Sequence, residues 1–442
     1  MRIFGQMKDR QVACGEVFLS AADYQQIIIR RGQVTDTKTS LNKGYSVRVV
    51  EAGKAGFAYS TDLSNAGINR TIDHAQKVLP YGDSEAANML PTRKIQPWQK
   101  SLHNFDRRIK DLTVADLINF AGDIEEAAGR VHKSIKDPES VGISAGTEET
   151  YLVSTHIPLL KETFSYIGGN ANCIGDDGRQ RAAASYMGYA CDLDDFQPAT
   201  IGSETARRAS VLLGATTITS GRREIVLDPY VSCQFLGFMA PLFSAENGFK
   251  AKSPLTGKLG QSMASPILTI VDDGLMPGRI ASSYYDAEGV PTRKTVVVDK
   301  GTFQSYLYNT GYALKLGAES TGNASRVSYK TPPAISPSNL YILPGKTDKN
   351  GLVKLIDHGL YVLNVMGMHT ANPVSGDFSL GVQGILIEKG ELTKPVKGIT
   401  LTGNLIDFLN NISSIADDPQ FFLLNAHIGA PTIHVSDVMV GG

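Results

Sequence analysis

The stretch YSVRVVEAGKAGFAYS, Tyr45 to Ser60, alternates apolar Tyr45, Val47 and Val49 with polar or charged neighbours, meets Gly53, and then turns back. A period of two on either side of a glycine predicts a β-hairpin with one buried face. Upstream, QIIIRRGQV, Gln26 to Val34, turns at Gly32, so residues 16–59 read as consecutive strands. Downstream the period changes to that of a helix, which starts at Ser64, carries Ile68, Ile72, Ala75 and Leu79 on one stripe, and stops at Pro80. His74 falls off that stripe and reads as a solvated surface residue.

The string TVAD, with Thr113 and Asp116, has the spacing of a capping box and opens a second helix. Its expected buried face is Leu117, Phe120, Ala121, Ile124 and Val131. A strand-rich run follows from Val141 to Asp195. Its glycine cluster YIGGNANCIGDDG lacks the G-x-x-x-x-G-K-[ST] spacing of a phosphate cradle and reads as turn glycines. A helix near Ser203 to Leu213 closes this half.

Polar TTITSGRR, Thr216 to Arg223, marks the main expected boundary. Beyond it ILTIVDD, KTVVVDKGTFQSYLY and GILIEKGELTKPV are short strands with turns at Gly274, Gly301 and Gly390. The expected fold class is therefore α+β. An N-terminal α/β half with a mixed or antiparallel sheet and flanking helices precedes a β-rich antiparallel sandwich or barrel. The expected divisions are 1–105, 106–217 and 218–442.

With 442 residues, 42% hydrophobic and 20% charged, and no apolar run of membrane-spanning length, the chain reads as a soluble protein of two or three domains. Lys8, Asp9 and Arg10 interrupt the start before any signal-peptide core forms, which predicts a cytoplasmic protein. Cys14, Cys173, Cys191 and Cys233 form no C-x-x-C pair, so neither a zinc knuckle nor a redox motif is expected. A net charge of −1 without a basic stripe argues against direct nucleic-acid binding.

Several strings are too particular for composition to explain: YYDAEGVPT at 284–292, STGNASR at 320–326, NLYILPG at 339–345, and SGDFSLGVQGILIEKGELTKPVKGITLTGNL at 375–405. With GYSVRVVEAGKAGFAYSTDLS upstream, they resemble the TldD/PmbA family in order and over nearly the whole length. That family was once described as modulators of DNA gyrase and is now regarded as metalloprotease-related. The GDFS to GNL string is more similar to the PmbA (TldE) branch, although the first strand comes earlier than in bacterial PmbA.

The resemblance gives FLGFMAPLFSAENG, Phe235 to Gly248, its meaning. In the TldD branch the corresponding helix carries His-Glu-x-x-x-His, two zinc-binding histidines and a general-base glutamate. Counted back from LTGKLGQ, those places fall here on Leu236, Gly237 and Pro241. None has a ligand atom or a base, and a one-residue shift in register adds none. The family's third ligand, a cysteine near the C-terminus, has no counterpart in FFLLNAHIGAPTIHV, where His427 stands nearby. The resemblance thus implies a chain with no catalytic residues at those positions, no bound metal and no cofactor. Its implied partner is a TldD-like metalloprotease subunit or a second copy of itself, and its implied substrate is unfolded peptide. A self-sufficient homodimeric peptide-binding protein or hydrolase and a regulator of DNA gyrase remain the alternatives.

Candidate substrate-binding residues are Asp286, Glu288, Gly289, Thr321, Asn323 and Asp377. Asp286 and Glu288 have the spacing of an acid/base pair on a strand, and equally of a turn that bonds its own backbone. Asp377 in SGDFS admits the same two readings. Thr321 and Asn323 would either position a peptide or close an Asx or ST turn. No G-x-S-x-G elbow points to a serine hydrolase.

Overall fold

In a computed structural model, residues 2–82, 90–91, 101–135, 138–424 and 426–442 are described. Six strands, β1 (Gly15–Arg30), β2 (Gln33–Glu51), β3 (Lys54–Ser60), β4 (Ser140–Ser154), β5 (Leu160–Asp176) and β6 (Arg181–Ala190), form one antiparallel sheet in the order β3-β2-β1-β4-β5-β6. The opening hairpin closes with Tyr45 opposite Ser60 and Glu51 opposite Lys54, around Gly53 at positive φ.

Alternation divides this sheet into two faces of different chemistry. Tyr45, Val47 and Val49 pack on Ile68, Ile72 and Ala75 of a helix, Asn65–Val78, whose first turn is capped by Ser64 accepting from Gly67 N at 3.0 Å. Ile27, Ile29, Val141 and Ile143 pack on Leu117, Ala121, Ile124 and Ile201 of helices Val114–Gly129 and Pro198–Val211. The capping box at Thr113 and Asp116 forms with both reciprocal bonds. Val131 lies beyond the end of its helix and is exposed, because the chain leaves the helical path at Arg130. The other face of the sheet presents Glu16, Phe18, Arg48, Glu148 and Glu162 to the C-terminal half.

The glycine cluster expected in turns lies mostly within β5. A Cβ at Gly168 would meet the Tyr189 ring at 2.4 Å, and one at Gly169 would press on Ile201, Ile124 and Ile143. These glycines let a ring and a helix approach the strand, while Gly178 alone of the run takes the positive φ of a turn.

The C-terminal half holds β7 (Gly221–Leu227), β8 (Ile270–Asp273), β9 (Lys294–Asp299), β10 (Thr302–Phe303), β11 (Ala324–Ser325), β12 (Ala334–Ile335), β13 (Asn339–Ile342), β14 (His358–Met366), β15 (Asp377–Glu388), β16 (Glu391–Asn404), β17 (Ile412–Ile415), β18 (Gln420–Leu424), β19 (Ala426–Ala430) and β20 (Ile433–Gly441). Strands β16, β15, β14, β7 and β20 close into a five-stranded barrel, because β20 returns to pair with β16 through Thr400–Gly441 and Thr402–Met439. The order β10-β9-β8-β13-β19-β18 makes a second sheet. Both are mainly antiparallel, with parallel pairs β7–β14 and β13–β19. The mixed α+β class with a barrel in the C-terminal half is thus the observed architecture.

Helix α1 (Pro229–Met239) lies between barrel and sheet. Phe235 stacks on Phe408 with ring centroids 4.8 Å apart, and Leu236 and Met239 are buried in the same core. Full burial of each such side chain stabilises by roughly 1.5–3 kcal/mol. The α-helix ends before Pro241, which has no N–H to continue the ladder, and a 3₁₀ turn, Ala240–Phe243, carries Leu242 and Phe243 into the core. Most of the stretch is core scaffold, while Gly237 and the exposed Pro241 face a cavity.

Candidate functional site

Two cavities meet at a shared wall, Ser336 and Pro337. The smaller, about 200 Å³, is lined by Gly237, Ala240, Pro241, Leu307, Leu424 and Ala426 and by polar Ser244, Glu246 and Asn247, of which Glu246 pairs with Lys250 at 2.7 Å and Asn247 donates to Pro241 O at 2.8 Å. Leu236 points into the core beside it and is 1% exposed. A zinc ion needs three or four N, S or O donors. The three places that resemblance assigns to zinc chemistry supply none. Nearby groups are committed elsewhere. Asp228 caps α1 through Tyr230 N at 3.1 Å, pairs with Arg208, and accepts from Tyr361 Oη at 3.0 Å. His427 faces Asn339 Oδ1 at 2.7 Å through Nδ1. Because Asn339 Nδ2 already donates to Asp273 O and Ser282 Oγ, its oxygen is the acceptor and Nδ1 carries the proton. Burial, and then the charge of Arg279, push the His427 pKa down to about 3. Among the described residues no three His, Cys, Asp or Glu side chains converge as metal ligands. The donor set beside α1 does not fit zinc.

The larger cavity, about 270 Å³, lies between the polar face of the N-terminal sheet and loops of the C-terminal half. Five of the six candidate substrate-binding residues come together here. Asp286 Oδ1 accepts from Glu288 N and Val290 N, both at 2.9 Å, while Oδ2 accepts from Ala324 N at 3.1 Å. The segment is therefore a turn closed by its own carboxylate rather than a strand with two carboxylates on one face. Burial and the charge of Glu288 push the Asp286 carboxyl up, to about 8, against those three backbone donors. Gly289 sits at φ +81°, where a Cβ would also approach Ile157 to 2.8 Å, so glycine is required on two grounds.

Glu288 is tied to Thr310 N at 2.9 Å and to Arg48 at 3.5 Å. Arg48 in turn holds Glu16 at 3.0 Å, and Glu16 also binds Arg326. Arg326 lies 4.9 Å from the centre of the Phe18 ring. Two glutamates and two arginines thus form a buried chain between β1, β2 and the loops that carry Glu288 and Arg326. Burial lowers the Arg326 pKa, and Glu16 opposes that shift.

Thr321 Oγ1 accepts from Tyr308 N at 2.7 Å and donates to Asn323 Oδ1 at 2.6 Å. Asn323 Nδ2 reaches Asp272 at 2.6 Å. Burial pushes Asp272 up to about 7, opposed by its bonds from Asn323 and Ser338 N. Of the candidates, Asp286 and Asn323 line the cavity itself; Glu288, Gly289 and Thr321 stand behind it. Asp377 belongs to the barrel, where it is exposed and bonded to Asn404 and Ser375.

The cavity wall from the N-terminal sheet carries Glu148 and Glu162, both raised in pKa by burial. Glu162 accepts from Tyr284 N at 2.7 Å and from the Ser283 hydroxyl.

The family models match in three consecutive pieces. PmbA/TldA metallopeptidase domain 1 matches residues 15–79, the central domain 107–213, and the C-terminal domain 220–442. This chain belongs to the PmbA/TldD family. A Haemophilus influenzae protein named metalloprotease TldD homolog is 25% identical, the match covering 100% of this chain and 95% of that protein. A Thermotoga maritima protein, whose crystal structure is named for modulation of a DNA gyrase, superposes with a TM-score of 0.91 at 25% identity, covering 100% of this chain and 98% of that one. TldE from Thermococcus kodakarensis has the same fold, with a TM-score of 0.91 at 19% identity and 100% of both chains covered. Names from both branches occur among these matches, which establish the family and leave the branch open. No helix among the described residues is long and apolar enough to cross a membrane.

Glu16, Arg48, Glu162 and Arg326 were not singled out in the sequence. The signal available was a charge at an inward position of an apolar strand: Glu16 before VFL and Arg48 within SVRVV. Such charges mark either a solvated face or a buried pair, and only the packing of the second half distinguishes them.

Proposed function

We propose that this chain is a metal-free subunit of the PmbA/TldE type, cytoplasmic, which pairs with a TldD-like metalloprotease subunit and helps hold unfolded peptide for cleavage. The observation that carries the reading is the chemistry of α1. Leu236, Gly237 and Pro241 stand where the family's zinc ligands and base are expected, none of the three side chains offers a ligand atom or a base, and no three His, Cys, Asp or Glu side chains converge among the described residues. Asp286, Glu288, Gly289, Thr321 and Asn323 then shape and support the adjoining cavity, with Asp286 and Asn323 facing any bound peptide. An extended peptide held by main-chain hydrogen bonds would be accepted with varied sequence but only when unfolded.

The test mixes the purified chain with a TldD-like partner and follows an unstructured peptide and a folded protein. Cleavage of the unstructured peptide by the mixture, with none by this chain alone and no stoichiometric zinc in it by elemental analysis, supports the reading. Metal-independent cleavage by this chain alone would favour a self-sufficient hydrolase. Capture of gyrase independent of peptide would favour a regulator.

A further inference from the structure

A third cavity, about 350 Å³, opens between β6, the start of the helix Pro198–Val211, and β18. Its walls include Tyr186, Tyr189, Phe421, Gln197, Thr200 and Arg279. Arg279 is the unusual member. Its guanidinium carbon lies 3.9 Å from the centre of the Phe421 ring, which fixes it in one plane. The other arginines held inside the protein, Arg48, Arg208 and Arg326, each have a carboxylate partner. Among the described residues the Arg279 guanidinium has neither an ion-pair partner nor a hydrogen-bond acceptor. Asp195 also borders this cavity, but it is exposed and makes no ion pair with Arg279. Elsewhere in the cavity, Tyr186 donates to Gln420 Oε1 at 3.0 Å, so that hydroxyl is engaged.

A partly buried guanidinium with its donors unused, clamped on an aromatic ring and surrounded by further rings, suits a planar anion carrying an apolar substituent. The fork of an arginine matches a carboxylate in bidentate fashion. The volume suits one or two residues of a peptide. The geometry points to this cavity as a binding site for the C-terminal carboxylate of a peptide ending in an aromatic or large aliphatic residue. Arg279 takes the carboxylate, Tyr189 and Phe421 flank the terminal side chain, and Gln197 and Thr200 offer polar contacts to the preceding amide. The choice of a peptide as ligand rests on the peptide-handling reading above.

The experiment is calorimetric titration of the full chain with N-acetyl-Gly-Gly-Phe as the free acid, with the same peptide as its C-terminal amide, and with inorganic phosphate. Saturable binding of the acid at micromolar to millimolar concentration is expected, weaker by about tenfold or more for the amide, since a charge-assisted bidentate contact is lost. Arg279→Gln lowers affinity for the acid to that of the amide, and Arg279→Lys recovers part of it by restoring charge without the fork. The acid–amide comparison uses the unaltered protein and stands even if a variant folds poorly. Equal binding of acid and amide, binding of phosphate but not the acid, unchanged affinity in a folded Arg279→Gln, or no saturable binding would each overturn the assignment. Because this assay needs neither partner nor cleavage, its failure leaves the mixed protease assay standing, and failure of that assay leaves this binding result standing.

Discussion

The two cavities on either side of Ser336 and Pro337 follow opposite plans. The one beside α1 is walled by Gly237, Ala240, Pro241, Leu307, Leu424 and Ala426 with Ser244, Glu246 and Asn247, and its single carboxylate, Glu246, is paired with Lys250. The one behind Asp286 is rich in carboxylates and arginines, yet those groups hold one another or the backbone: Asp286 binds three N–H groups, and Glu16, Arg48, Glu288 and Arg326 form a chain. The difference teaches that the density of charged residues is a poor guide to chemistry here. Groups engaged by internal partners fix the joint between the two halves, while Leu236, Gly237 and Pro241 beside the other cavity offer no ligand atom or base. The comparison breaks if the buried charges prove dispensable for stability, or if the apolar cavity acquires activity easily.

The largest effect is expected from Glu16→Ala. It leaves Arg48 and Arg326 buried beside one remaining carboxylate, Glu288, and removal of one partner from a buried ionic cluster costs about 3–5 kcal/mol. Urea unfolding followed by circular dichroism measures it. A loss below about 1 kcal/mol, the range of solvent-exposed pairs, would mean that the cluster is not a structural joint.

His427 sharpens the comparison, because it is a buried imidazole held by Asn339. Its folded pKa is depressed from 6.5 to about 3 by burial and Arg279. A depressed base contributes stability that is complete above pH 6.5 and lost as pH falls toward 3, since the unfolded chain takes up the proton first. From the standard linkage relation this one group removes roughly 1.5 kcal/mol between about pH 6.5 and pH 5. His427→Gln retains an amide donor for Asn339 but no titrating ring, so its stability should fall less over that interval. Identical pH slopes for both proteins would show that the ring titrates normally and is open to solvent.

Asp286→Asn tests the turn with a smaller effect. The amide keeps one oxygen for Glu288 N and Val290 N but sets its NH₂ against Ala324 N, costing about 1 kcal/mol. Stability should fall with little change in cleavage by the mixed subunits at saturating peptide. Loss of cleavage with stability intact would return Asp286 to the chemistry.

Much of this architecture was legible in the sequence because its signals are local. The hairpins at Gly32 and Gly53, the cap at Ser64 and the box at Thr113 each depend on residues within a few positions. Barrel closure was not legible, because it joins Thr400 to Gly441 through a return strand whose own pattern does not name its neighbour. The glycines of β5 were misread because the sequence shows a missing side chain but not the ring of Tyr189 that uses the space. Motif strings contain Asp286 and Asn323, which line the larger cavity, whereas the Glu16–Arg326 contact spans 310 positions and carries no local signature. Asp377 came from the same strings and lies on the barrel because a motif records family resemblance, not proximity.

The smallest expected effect is that of Pro241→His, which should change almost nothing. Pro241 occupies the first turn of the 3₁₀ segment, where its missing N–H costs the ladder little, and its carbonyl accepts from Ser244 N at 3.2 Å and Asn247 Nδ2 at 2.8 Å whatever the side chain. Histidine keeps that carbonyl, so stability should move by no more than about 0.5 kcal/mol, as for substitutions away from the core. The new imidazole would join a cavity whose lining carries one carboxylate, Glu246, already paired with Lys250 at 2.7 Å, and one carboxamide, Asn247, already bonded to Pro241 O. One imidazole with at most one carboxylate falls short of the three or four donors that hold zinc, and Glu246 is engaged by Lys250. Elemental analysis should find no stoichiometric zinc, and peptide cleavage by the chain alone should remain absent. Retention of one zinc per chain with new hydrolysis would mean that further donors lie within reach of this cavity, and the contrast between a pocket poor in ligand atoms and one rich in paired charges would fail.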